Sequence, residues 1–93
     1  MLRSIIITPD QEQSEQLQDL LSEIGHIGVI RAVNKYPTAI ELVRTLRAHA
    51  PQVVFLGVDA VDKAMEVISG IEQSMPGVQI IALSTASTPR KTT

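Results

Sequence analysis

The chain has 93 residues, with ten acidic and eight basic side chains and a net charge of −2. This length suits one domain, and one Phe, one Tyr and no Trp leave little aromatic surface for stacking nucleic-acid bases. The acidic balance also argues against a general nucleic-acid binder, and the absence of Cys excludes disulfides, thiolate metal sites and a cysteine nucleophile. Because no apolar run approaches the roughly 18 residues of a membrane span, we expect a cytoplasmic protein without nucleic-acid or membrane partners.

Four segments have the composition of β-strands. Residues 2–8, 53–58 and 78–83 are nearly continuous runs of aliphatic side chains. Such runs are typical of strands covered on both faces, as in a parallel sheet. Residues 26–33 are apolar but interrupted by a glycine and an arginine, which predicts an edge strand.

Three amphipathic segments alternate with these strands and predict helices. In each segment apolar residues recur at intervals of three and four, so that one stripe faces a core. The predicted stripes are Leu17, Leu20, Leu21 and Ile24, then Ala39, Val43, Leu46 and Ala50, then Ala64, Val67, Ile68, Ile71 and Met75.

Polar residues mark where the three helices begin. Asp10 with Gln13 and Thr38 with Glu41 have the spacing of a capping box, in which each side chain bonds the other residue's backbone N–H. Asp59 is predicted to cap the third helix.

The regular alternation of strand and helix predicts the fold. Short connections and right-handed crossovers turn this order into an α/β open parallel sheet of four strands and three helices. We expect one domain over residues 1–86. Residues 87–93 are predicted to be a mobile tail, because the last ten residues hold six Ser or Thr and no apolar side chain larger than Ala.

The strand ends resemble a known family. Residues 5–10, 51–58 and 80–84 sit where the receiver domains of response regulators carry their functional residues. The similarity covers about residues 2–89, and residues 36–42 and 50–56 look closest to the receiver-like N-terminal domains of CpaE/TadZ-type pilus-assembly ATPases. It implies a flavodoxin-like strand order of 2-1-3-4-5, from which the last strand and its helices are missing here.

The resemblance also locates a broken phosphorylation site. Ordinary receivers have two adjacent acids after strand one, an acceptor Asp ending strand three and a hydroxyl ending strand four. At these places the chain has Pro9 and Asp10, Gly57, and Ser84. Gly57 supplies no nucleophile, and Asp59, two residues further on, is displaced by about 6.6 Å at roughly 3.3 Å per residue.

We therefore predict no catalytic residue, no metal and no cofactor, and we interpret Asp10, Gly57 and Ser84 as a remnant receiver site. Mg²⁺ usually needs one or two well-placed carboxylates, and only Asp10 remains. Neither a G-x-x-x-x-G-K-[ST] nor a G-x-G-x-x-G motif is present, which argues against nucleotide binding.

The first functional hypothesis is a non-catalytic, phosphorylation-independent interaction module, part of a larger signalling or pilus-assembly protein. Its expected partners are proteins, including a second copy of the chain. The homodimer would form through the edge of strand four or the exposed face of helix one, which a four-stranded sheet leaves uncovered. The alternatives are a phosphoaccepting receiver of a two-component phosphorelay that uses another carboxylate, a flavodoxin-like cofactor carrier, and a piece of a longer chain whose continuation supplies strand five.

Overall fold

Strands and helices alternate along the chain as the sequence predicts. The computed structural model describes residues 2–83. Within them lie four strands and three helices: β1 (Leu2–Ile7), α1 (Gln11–Ile24), β2 (Ile27–Val33), α2 (Ala39–His49), β3 (Val53–Gly57), α3 (Val61–Ser74) and β4 (Gln79–Leu83). Among these helices, none combines the length and apolar character that a bilayer crossing requires.

The strands form one parallel sheet in the order β2-β1-β3-β4. The central strand β3 is buried along its whole length, and β1 is buried from Ser4 onward. The edge position predicted for β2 is confirmed. β4 forms the other edge and has no fully buried residue, although its sequence is that of an interior strand.

The two faces of the sheet are covered unequally. Helices α2 and α3 pack together on one face, and α1 packs on the other. The buried cluster under α2 and α3 consists of Ile5, Ile7, Leu42, Leu46, Val54, Leu56, Ala64, Val67 and Ile71. The cluster under α1 consists of Ile6, Leu21, Val53 and Phe55.

The stripe predicted for α3 is confirmed, whereas two of the predicted stripes need correction. In α2 the buried residues are Leu42 and Leu46, while Ala39 and Ala50 are exposed. Contact with α3 favours this stripe, because the Leu42 side chain packs against Gly70 of α3. The approach is close: a Cβ atom added at Gly70 would lie 2.7 Å from Leu42 Cδ2.

In α1, Leu21 is buried as predicted and Leu17 is partly buried, but Leu20 is 54% exposed and Ile24 is 48% exposed. Residues 2–83 place no second helix beside α1 to cover that flank. Leu20 and Ile24 therefore belong to the apolar stripe of the sequence without being buried in the fold.

The predicted capping box of α2 is confirmed. Glu41 N donates to Thr38 Oγ1 at 3.2 Å, and Thr38 N donates to Glu41 Oε1 at 3.0 Å. Asp10 caps α1 by accepting from Gln13 N at 3.1 Å, but the Gln13 side chain bonds elsewhere. The prediction for Asp59 is wrong, because the N-cap position of α3 is one residue later and has no side-chain cap hydrogen bond.

Candidate functional site

The site that the sequence indicates lies at the carboxyl edge of the sheet, between the ends of β1 and β3. Thr8 directly follows β1, and Gly57 is the last residue of β3. The first turn of α1 adds Asp10 and Gln13, and the loop before α2 adds Tyr36. In open parallel sheets this edge is where ligands ordinarily bind, so its contents decide what chemistry is available.

The Thr8 side chain fills the centre of this site. It is fully buried, and its Oγ1 hydroxyl donates to Gln13 Oε1 at 2.8 Å. The same oxygen accepts from the backbone N–H of Asp10 at 3.2 Å. The donor of the hydroxyl and one of its two acceptor lone pairs are therefore used within the β1–α1 turn, and the turn is held against the sheet.

Gly57 lies directly against this hydroxyl. A Cβ atom added at Gly57 would lie 2.6 Å from Thr8 Oγ1, 2.9 Å from Thr8 Cβ and 3.3 Å from Gln13 Oε1. The first two distances are shorter than van der Waals contact, and the second involves an atom rigidly attached to the backbone of β1. Position 57 consequently has no room for a side chain.

The carbonyl of Gly57 is also engaged. Tyr36 Oη donates a hydrogen bond to Gly57 O and so ties the β2–α2 loop to the end of β3. Tyr36 itself packs against the core under α2 and α3. A buried tyrosine hydroxyl needs such a partner, and here the bond links two strand ends.

Asp10 lies next to the site, with its carboxylate occupied as a helix cap. In the described part of the chain no three metal-ligating side chains come together. Asp59 is exposed in the β3–α3 connection, and Ser84 lies outside the described residues. The interpretation of Asp10, Gly57 and Ser84 as a remnant receiver site stays a prediction.

Sequence reasoning did not assign Thr8, Gln13 or Tyr36 to the site. One signal was available, because a glycine that ends a buried strand often marks a close approach of another group. A second signal was that Tyr36 is the sole tyrosine of the chain. Neither signal identifies the partner, since Thr8 and Gly57 are far apart in sequence.

Comparisons with known proteins support the fold. No family model matches the chain, and no curated protein matches it. Among solved structures it is similar to RcsB from Salmonella enterica serovar Typhimurium, determined bound to promoter rprA in the presence of the phosphomimetic BeF3−, with a TM-score of 0.74 and 17% identity. The similarity covers 96% of this chain and 45% of the RcsB chain.

RcsB is a response regulator, and the shared fold is that of its receiver domain. The chain therefore has a receiver-like fold, as the strand order and the alternation of elements also indicate. At this level of identity the likeness extends to the fold alone, and the chain spans less than half the length of the protein it matches.

Proposed function

We propose that the chain is a non-catalytic, cytoplasmic interaction module with a receiver-like fold that works without phosphorylation. The observation that carries the proposal is the packing of Thr8 and Gln13 against Gly57. In an active receiver that space belongs to the acceptor carboxylate. Here it holds side chains that are hydrogen-bonded to each other.

The chemistry of phosphoryl transfer supports this proposal. The reaction needs a carboxylate nucleophile and a Mg²⁺ ion that contacts both the nucleophile and the phosphoryl oxygens. Gly57 offers no nucleophile. Asp10, the N-cap residue of α1 next to the site, has its carboxylate engaged by Gln13 N. The hydrogen bonds of Thr8 hold the β1–α1 turn in one arrangement, so the module would present one constant surface.

Incubation with acetyl phosphate and Mg²⁺, followed by intact-mass measurement, tests the proposal. We expect no phosphoryl increment under conditions in which a phosphoaccepting receiver is fully labelled. An increment on this chain would contradict the proposal, and its loss in Asp59→Asn or Asp10→Asn would identify the acceptor and favour the phosphorelay alternative.

The partner that we propose first is a second copy of the chain, paired through the outer edge of β4. Gln79 N donates inward to Gln52 O, and Leu83 O accepts inward from Val58 N. Because residues of a strand alternate, the backbone N–H groups of Ile80 and Ala82 point to the open edge. An unpaired edge of this kind is a template for another strand.

Sedimentation velocity at micromolar concentration tests this pairing. Ala82→Pro removes an outward N–H group without touching the β3 ladder, and we expect it to shift the protein towards monomer. Ala82→Val keeps the N–H group and suits a strand, so it should preserve the dimer. If the unmodified chain stays monomeric, the edge does not pair with itself.

The larger context is also a proposal. The likeness of residues 36–42 and 50–56 to the receiver-like domains of pilus-assembly ATPases favours a module that localises or regulates such a protein. Any ATPase activity would then reside in another domain. Determining the reading frame around this sequence tests the idea, because it should encode or adjoin a P-loop ATPase.

A further inference from the structure

An apolar trough runs along the α1 face of the sheet. One flank of α1 faces the edge strand β2, since Gln18 and Ser22 line a groove with Gly28 and Val29. The opposite flank faces β3, since Gln13 Oε1 lies near Gly57.

Leu17, Leu20 and Ile24 follow Gln13 by 4, 7 and 11 residues and so share its flank. They form the wall of the trough.

The floor of the trough consists of β3 and β4. Phe55 packs with Leu21 under α1, and its register partner on β4 is Ile81. Partners in a parallel ladder project to the same face, so Ile81 and Leu83 also face the trough. Ile81 is 43% exposed, and the two exposed residues of the wall are Leu20 and Ile24.

The dimensions of the trough suit a helix. Two strands about 4.8 Å apart make a floor about 10 Å wide, which is the diameter of a helix with its side chains. Residues 84–93 do not have the composition to fill it, because they hold no apolar side chain larger than Ala.

Among residues 2–83, the charged side chains beside the trough are acidic. Helix α1 carries four acidic residues and no Lys or Arg, and Glu23 follows the exposed Leu20 by three positions on the same side of the helix. The basic residues among 2–83 lie elsewhere. Arg3 bonds the carbonyl at the end of α2, Arg31 is the register partner of Ile5 in the core under α2, and the others are Lys35, Arg44, Arg47 and Lys63.

We infer that the trough formed by Leu17, Leu20, Ile24, Phe55, Ile81 and Leu83 binds a cationic amphipathic helix of a partner protein. Apolar residues of that helix would contact the trough, and its Lys or Arg residues would face the acidic side of α1. A second copy docked through the same face would bring two acidic helices together, so the charge favours a basic partner. This inference rests on the proposed function as an interaction module.

A pair of synthetic peptides of about 18 residues provides the probe, long enough to form a helix. One has Leu at helical spacing with Lys at the remaining positions, and the other replaces every Lys by Glu. Fluorescence anisotropy of the labelled peptides is measured against the full chain. We expect the Leu/Lys peptide to bind at least about tenfold more tightly than the Leu/Glu peptide, and added salt to weaken binding.

Two double variants locate the binding surface. The Leu20→Ser, Ile24→Ser double variant should bind the Leu/Lys peptide about tenfold or more weakly than the unmodified chain does. Ile40→Ser with Met65→Ser is the matched control, because Ile40 is 67% exposed and Met65 58% exposed on the other layer. All four side chains are exposed, so circular dichroism should show both double variants folded.

Equal weakening in the two double variants, equal binding of the two peptides or no binding would overturn the inference. The inference would also be overturned if the chain forms a homodimer and the Leu20→Ser, Ile24→Ser double variant is monomeric, because a second copy would then occupy the trough. Failure of the proposed function is recognised separately by phosphoryl incorporation. If the chain takes up no phosphoryl group and binds neither peptide, the trough is not a docking site, but the proposed function is not contradicted.

Discussion

The two faces of this sheet are built from the same strands yet differ in how completely they are covered. Ile5 and Ile7 of β1 face α2 and α3, Ile6 faces α1, and all three are buried. On β4 the contrast appears, because Ile80 packs against the core under α2 and α3 whereas Ile81 is 43% exposed beside α1. The apolar pattern of a strand thus indicates that both of its faces are suited to burial. Whether a face is buried depends on the number of helices that pack on that side of the sheet.

The same contrast separates the carboxyl edge of the sheet from the flank of β4. At the edge, Thr8 and Gln13 fill the space beside Gly57 and hydrogen-bond each other, and the Tyr36 hydroxyl donates to the Gly57 carbonyl. Along β4, Ile81 is exposed, and the backbone N–H groups of Ile80 and Ala82 point away from β3. Within residues 2–83 the space beside Gly57 is therefore filled while an apolar surface next to it is exposed, which is why the proposed function depends on protein contacts.

The largest expected effect on the free energy of unfolding comes from a comparison of two leucines, one on each face of the sheet. Leu46→Ala removes a fully buried side chain of α2, and we expect it to lower the free energy of unfolding by about 2 to 5 kcal/mol. Leu20→Ala, on the half-exposed flank of α1, should change it by no more than about 0.5 kcal/mol. Urea unfolding followed by circular dichroism measures both. If Leu20→Ala lowers the free energy of unfolding nearly as much as Leu46→Ala does, Leu20 is covered in solution. If a second copy of the chain covers it, the effect of Leu20→Ala should become smaller at lower protein concentration.

A smaller effect is expected at the closed edge. Gly57→Ala places a methyl group against Thr8 and should destabilise the fold by about 1 to 3 kcal/mol. Gly77→Ala is the matched control, because a Cβ there meets nothing within 4 Å and should be close to neutral. Thr8→Ala removes the nearest atom, so the Thr8→Ala, Gly57→Ala double variant should cost less than the sum of the two single changes. Strict additivity in urea unfolding would show that the two residues are not in contact.

Much of this fold is local in origin and could be predicted from the sequence. Aliphatic runs gave the four strands, and the box of Thr38 and Glu41 was recognised because its two bonds join residues three apart. The prediction for Asp59 failed because α3 begins one residue later than the pattern indicated. The α2 stripe was misassigned because apolar residues on two adjacent faces have helical spacing, and only contact with α3 at Gly70 selects Leu42.

The candidate site was less predictable, since it depends on contacts between distant parts of the chain. The sequence predicted a strand over residues 53–58 and no side chain at Gly57. It did not predict that the Thr8 hydroxyl fills the adjoining space, because this depends on how β1 and β3 align and on which way the Gln13 side chain turns. Propensity and spacing carry no information on either.

The smallest expected effect is a pH dependence confined to the covered side of the sheet. The hydrogen bond from Thr38 N to Glu41 Oε1, together with the charge of Lys35, lowers the pKa of the Glu41 carboxyl below its ordinary value of 4.5. A carboxyl with a lowered pKa in the folded state adds stability above the pKa of the unfolded state, and the gain is lost as the pH falls through the folded value.

Glu41→Gln keeps a hydrogen-bond acceptor at this cap and removes the charge. The free energy of unfolding of the native chain should therefore exceed that of Glu41→Gln most at neutral pH, and the difference should shrink as the pH falls below about 4.5. Urea unfolding of both proteins at pH values on either side of this range measures the difference. A difference that does not change with pH would mean that ionisation of Glu41 contributes nothing to stability, so that this cap depends on its hydrogen bonds and not on charge.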